Sequence, residues 1–99
     1  MSEKATLLVT AAPNGDEMAA VQEYLQGVMP VLQAAGGTLV KRLKVGQVIK
    51  GASSGMAMVM DFESADAITD AFESAEYAAL VPARDRGFVD MTILVTEEM

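Results

Sequence analysis

Ninety-nine residues carry 7 Lys and Arg against 14 Asp and Glu, and the net charge of −7 repels a phosphate backbone at long range, so no nucleic-acid partner is expected. Cys and His are both absent, which removes disulfides, thiolate zinc sites, His-ligated haem and Ser-His or Cys-His catalysis together; no metal and no cofactor is expected. The length fits a single domain spanning residues 1–99, yet 52% of the chain is hydrophobic and its mean hydropathy is +0.28, rich for so small a unit. No uninterrupted apolar run approaches the ~18 residues that span a bilayer. Met1-Ser2-Glu3-Lys4 lacks a basic region ahead of an apolar stretch and reads as no secretory signal. A cytoplasmic address fits, and the apolar excess points to a partner surface rather than a membrane.

In chain order, residues 5–12 are apolar and partly β-branched and are stopped by Pro13-Asn14-Gly15, the pattern of a first strand. Asn14 or Asp16 can cap a helix, with Glu17 placed as in a capping box. Met18, Val21, Leu25, Val28, Leu32 and Ala35 then recur at spacings of three and four, one face of a helix. Pro30 predicts a kink or a break in it, and Gly36-Gly37 supplies a left-handed cap. Thr38–Lys50 alternates imperfectly: Leu39, Leu43, Val45 and Ile49 share one parity, Val40, Arg42, Lys44, Val48 and Lys50 the other. Cations on one side suit a strand at a sheet edge, where Lys blocks edge-to-edge association, and Gly46 marks a bulge or bend.

Gly51-Ala52-Ser53-Ser54-Gly55 reads as a loop, and Met56–Met60 as a strand apolar on both parities, ended by Asp61. Ser64 is a good N-cap with Asp66 in the first turn, and Ala67, Ile68, Ala71 and Phe72 form a buried stripe. Ser74 caps a further short helical turn over Ala75–Val81 that Pro82 halts, Arg84-Asp85-Arg86-Gly87 is a polar connection, and Phe88–Val95 is the last strand.

The order is βαββαβ, an α+β ferredoxin-like plan in which right-handed crossovers give a four-stranded antiparallel sheet with both helices on one face. The other face is left bare. A half-covered sheet should alternate apolar with polar, but strand three does not and strands one and four barely do. A homodimer that covers the open face through a twofold axis accounts for this, and Met56, Met58 and Met60 suit such an interface; the alternative is that the methionine row is intramolecular core.

The chemistry-bearing residues concentrate between Phe72 and Arg84. Glu76 and Arg84 can meet across the proline-bounded turn as a structural ion pair; otherwise Arg84 faces a cleft and binds a ligand carboxylate bidentately. Tyr77 is a packing residue with its hydroxyl at the rim, or a hydrogen-bond donor to a bound carbonyl or phenol. Lys41 and Arg42 point to opposite sheet faces, so one of them faces inward, to attract an anion or pair with Asp61 or Asp90, unless both are solvated. Asp61 and Asp90 become general bases only if buried. Tyr24 borders the core. Gly51–Gly55 has neither the Lys nor the strand-to-helix context of a phosphate loop, Met56–Met60 lacks the aromatics of an RNA-reading sheet, and the carboxylates lack an EF-hand spacing.

Phe62-Glu63-Ser64 and, above all, Ser74-Ala75-Glu76-Tyr77 followed by Leu80-Val81-Pro82-Ala83-Arg84 resemble the signature of the domain of unknown function 1330 family, in which Ser-Pro-Glu-Tyr precedes Leu, Ile or Val, Pro, any residue and Arg. Gly36-Gly37 before the second strand is also typical of it. Ala75 stands where that family usually has Pro, Ala71 where it often has Trp, and Phe72 where Tyr is common. Val40-Lys41-Arg42-Leu43 replaces a frequent run of a small residue followed by Arg-Gly-Gly. The resemblance implies a dimeric α+β barrel, two sheets facing each other, and implies no reaction. Three functions follow. The first is a dimer binding a small apolar or anionic metabolite near Tyr77 and Arg84, with Glu76, Lys41 and Arg42 as further candidates. The second is a cofactor-free enzyme, monooxygenase- or isomerase-like, on an aromatic or lactone-like metabolite; the third is a structural or regulatory association module.

Overall fold

The structure, a computed structural model, describes residues 4–51 and 54–99. Met1–Glu3, on which the reading of the N-terminus rests, and Ala52 and Ser53 of the Gly51–Gly55 loop lie outside them. The chain forms β1 (Ala5–Pro13), a 3-10 turn (Gly15–Glu17), α1 (Met18–Ala34), β2 (Thr38–Lys44), β3 (Met56–Phe62), α2 (Ala65–Phe72), α3 (Ala75–Ala78), α4 (Val81–Gly87) and β4 (Phe88–Thr96). All pairings are antiparallel in the order β2-β3-β1-β4, the ferredoxin-like arrangement, with the helices on one face. The cation-bearing β2 is an edge strand, as its lysines predict.

Three local expectations need correction. The side chain of Asn14 accepts from the Asp16 amide and caps the 3-10 turn, not α1. Pro30 sits within α1 without dividing it, and the helix ends where Gly36 takes a φ of +94°, a conformation only glycine adopts at no steric cost. Pro82 does not halt a helix; it opens α4, which takes up the supposed polar connection Arg84–Gly87. The reason is positional: a proline in the first turn has no amide that the helix would need, and its ring presets the helical φ. Ser64 and Ser74 cap α2 and α3 by accepting from the amides of Ala67 and Tyr77.

The strand registers assign the paired side chains to faces. Leu7, Val9 and Ala11 pair with Met60, Met58 and Met56 and face the helices with them. The methionine row is therefore intramolecular: Met60 is fully buried, and Met56 and Met58 pack against the core. The opposite face carries an apolar row, Val59, Leu8 and Leu94, between rows of Thr6 and Thr96 and of Thr10 and Thr92. The register of β2 shifts between Leu39 and Lys41, so the irregularity lies at Val40 and not at Gly46, which falls beyond the strand. That one extra residue turns Leu39 and Arg42 toward the helices, opposite Met60 and Met58, and Lys41 and Leu43 toward the open side.

The core lies between sheet and helices and is built from Leu7, Val21, Val28, Leu32, Met60 and Ile68 among others. On α1 the buried positions are Ala20, Val21, Tyr24, Val28 and Leu32, while Met18 is exposed and Leu25 half-buried. The inner face is thus centred on Tyr24. α1 packs against α4 at a backbone crossing where Gly87 leaves no room for a side chain: a Cβ there would lie 2.8 Å from the Val21 nitrogen.

Candidate functional site

Beneath α1, where β1 ends and β3 begins, the helical layer stands away from the sheet and leaves a cavity of about 340 Å³. Val9, Met56, Met58 and Met91 form its floor, Leu25, Val28 and Met29 its roof, and Phe72 and Phe88 close it with Tyr24. Gln22, Gln26 and Arg42 are the exposed polar side chains on its wall. Among the described residues Arg42 is the sole charged group there, aimed inward by the β2 bulge.

Tyr24, part of this wall, meets Tyr77, which is not. Their rings stand edge to face with centroids 6.1 Å apart, and Tyr24 also meets Phe88 at 5.5 Å while Tyr77 meets Phe72 at 4.7 Å. Both tyrosines are buried, and their hydroxyls lie 2.9 Å apart. Arg84 in α4 donates from Nη1 to the Tyr77 hydroxyl at 3.2 Å, and its guanidinium carbon lies 5.8 Å from the centre of that ring. Its Nε makes an ion pair with Asp85 at 3.1 Å. The expected Glu76–Arg84 ion pair does not form, because α3 turns the exposed Glu76 outward to a shallow depression between Pro30 and Ser74. Burial pushes the Tyr24 phenol well above its ordinary value, helped by the hydrogen bond with Tyr77, so this hydroxyl stays neutral. The Tyr77 contact in turn raises Arg84, which is a cation throughout.

Of the five site residues singled out in the sequence, only Arg42 lines the cavity. Tyr77 is held behind it, Arg84 opens onto a separate surface depression along β4 with Phe88 and Met91 as shared walls, Glu76 points away, and Lys41 lies on the open sheet face. Asp61 and Asp90 are exposed, so no burial prepares either as a base; Asp61 accepts from the Thr6 hydroxyl at 2.9 Å. The sequence places Tyr24 at the border of the core and not among the site residues, whereas it is buried within the core and lines the cavity. Its signal was present: Tyr24 stands three residues after Val21 and four before Val28, on the buried stripe itself. Among the described residues no group of three or more acidic side chains gathers as a metal site would require, and no helix is long and apolar enough to cross a membrane.

The family model described as "Domain of unknown function (DUF1330)" matches residues 7–99. The chain belongs to that family. Its fold recurs in a protein of unknown function from Rhodopseudomonas palustris, with a TM-score of 0.83 at 14% identity, covering 100% of this chain and 85% of that one. A protein from Bacteroides fragilis described as dimeric and ferredoxin-like aligns with a TM-score of 0.64 at 10% identity, covering 96% of each chain. A putative antibiotic biosynthesis monooxygenase from Nitrosomonas europaea aligns with a TM-score of 0.71 at 10% identity, over 100% of this chain and 93% of the other. No curated protein matches. At these identities the likeness is one of fold. Membership in DUF1330 supplies an architecture without a reaction.

Proposed function

We propose that two copies of this chain join through the open faces of their sheets, as a cytoplasmic homodimer, and that each binds a small apolar or anionic metabolite in the cavity beneath α1. The observation that carries the reading is the composition of the cavity wall: mainly methionine, valine, leucine and aromatic groups, with the amides of Gln22 and Gln26 and one cation, Arg42, in a chain of net charge −7. Its volume of about 340 Å³ falls within the range of small-molecule sites, and a few polar groups on an apolar wall are how such sites orient a ligand. In this arrangement an apolar body lies on the methionine floor and a carboxylate meets the Arg42 guanidinium. Tyr77 and Arg84 act from behind the wall, and Glu76 and Lys41 stand apart from the ligand. Support for the dimer comes from β2, exposed along its whole length, from the Val59-Leu8-Leu94 row, and from the dimeric state given for the Bacteroides fragilis protein.

The test uses two probes of similar shape, naphthalene and 2-naphthoate, titrated against the protein by ligand-observed NMR. Both should saturate, and Arg42→Gln should weaken naphthoate several-fold while leaving naphthalene unchanged. Absence of saturable binding for both removes the cavity reading. Sedimentation at micromolar concentration tests assembly separately, and a folded single copy there removes the dimer.

A second reading is a cofactor-free enzyme, monooxygenase- or isomerase-like, acting on an aromatic or lactone-like metabolite. Two hydrogen-bonded phenols tied to a guanidinium favour it, since such a chain can stabilise charge that develops on a substrate oxygen. The name carried by the Nitrosomonas europaea relative agrees in kind. Turnover that Tyr24→Phe abolishes, with assembly intact, would distinguish it from binding alone.

A further inference from the structure

The Tyr24–Tyr77 hydroxyl pair has one proton more than its contacts use. Arg84 offers only N–H groups and no acceptor, so at 3.2 Å it donates to the Tyr77 oxygen. The two hydroxyls, 2.9 Å apart, share a single hydrogen bond between them. Nη1–H and two phenolic O–H groups are thus three donors for two contacts, and one phenolic proton is left without an acceptor among the described residues. Which proton it is follows from polarity. A phenol that accepts from a guanidinium becomes the stronger donor, so Tyr77 gives its proton to the Tyr24 oxygen and the surplus proton belongs to Tyr24. Tyr24 is the member of the pair that lines the cavity, and it is only 4% exposed. A buried donor left unspent is costly; the wall is mainly methionine, valine, leucine and phenylalanine, and its two amide side chains, the exposed Gln22 and Gln26, make no hydrogen bond to Tyr24.

We infer that Tyr24 is the directional contact of the cavity and donates its hydroxyl proton to a carbonyl oxygen of the bound molecule, so that the ligands preferred are apolar ring compounds bearing a ketone or a related oxygen acceptor. The inference rests on the cavity being a ligand site. Tyr77 and Arg84 are positioning residues here: they touch no ligand, but they orient the Tyr24 hydroxyl and polarise it. Neutrality suits the role, because a phenol held above its ordinary pKa by burial remains a donor across the physiological range.

The experiment uses 2-acetylnaphthalene and 2-ethylnaphthalene, which share a shape and differ by a carbonyl. The ketone should bind about tenfold more tightly, the equivalent of about 1.4 kcal/mol. Its infrared carbonyl stretch should move to lower frequency on binding. Tyr24→Phe should abolish both the preference and the shift while 2-ethylnaphthalene still binds. Tyr77→Phe should leave a smaller shift, because Tyr24 is then no longer polarised. Equal binding of the two probes with an unshifted carbonyl in the natural protein overturns the role of Tyr24 and leaves the cavity reading standing. Failure of both probes to bind overturns the cavity reading and the inference with it. Should Tyr24→Phe not fold, the carbonyl frequency in the natural protein decides alone.

Discussion

The aromatic end of the helical layer and the β2 edge both carry large apolar side chains, yet those of the first are packed against one another and those of the second stand in solvent. At the aromatic end Tyr24, Phe72, Tyr77 and Phe88 meet edge to face, α1 and α4 touch backbone to backbone at Gly87, and the Asn14 amide donates to the Gly87 carbonyl at 2.8 Å. Along β2, Leu39, Val40 and Leu43 are 39–48% exposed, and Ile49 beyond the strand is 92% exposed. Four helices and the start of β4 converge at the first region, whereas β2 is hydrogen-bonded on one side only. Apolar content therefore does not decide burial by itself; the number of elements that converge does.

The largest break in this contrast should come from Tyr77→Ala, which removes a ring from between Tyr24 and Phe72 and strands the Tyr24 hydroxyl and the Arg84 guanidinium. A loss of about 3–5 kcal/mol is expected in denaturant unfolding. An unchanged midpoint would mean that the ring cluster contributes nothing to stability. Next, Gly87→Ala should cost about 1–3 kcal/mol, because its Cβ would press on Val21 backbone that cannot rotate away.

These effects fall where sequence and structure agree least, and the reason is physical. Element order and strand pattern were legible because they repeat along the chain: β1, β3 and β4 fall at the expected places to within a few residues. The bulge at Val40 was not, since one inserted residue leaves no local mark, and it decides which of Lys41 and Arg42 faces the cavity. The motif from Ser74 to Arg84 does carry the Tyr77–Arg84 contact, but it suggested Glu76 as the partner of Arg84. The partner is Asp85, its neighbour in α4, while Glu76 is exposed on α3. Tyr24, 53 residues before Tyr77, belongs to no motif; its role arises only when α1 and α3 are packed together.

A third, smaller effect appears in alkali. The Tyr24 phenol is raised in the folded chain above its unfolded value of about 10, so above that pH the unfolded chain gives up a proton that the folded chain keeps. The stabilisation is therefore complete below about pH 10 and declines as pH rises beyond it, by at most about 1.4 kcal/mol per unit for one group. Tyr24→Phe should flatten that part of the stability profile, while a Tyr24→Phe profile that declines with the same slope would assign the alkaline loss to other groups.

The smallest expected effect on the isolated chain is at the β2 edge, and it is the most discriminating. Leu43 is 47% exposed on the open face beside Ala57, and Lys41 lies on the same side of its own strand. In a dilute single copy Leu43→Lys replaces one solvated side chain by another, so the midpoint should move by no more than about 0.5 kcal/mol. In a sheet-to-sheet dimer the same change places an unpaired ammonium in an apolar seam, and association should weaken by a factor of ten or more, about 1.4 kcal/mol. Sedimentation and unfolding measured on one sample separate the two outcomes. Weakened assembly with an unchanged dilute midpoint would identify the exposed leucine as the place where a second copy supplies the packing that the aromatic end finds within its own chain.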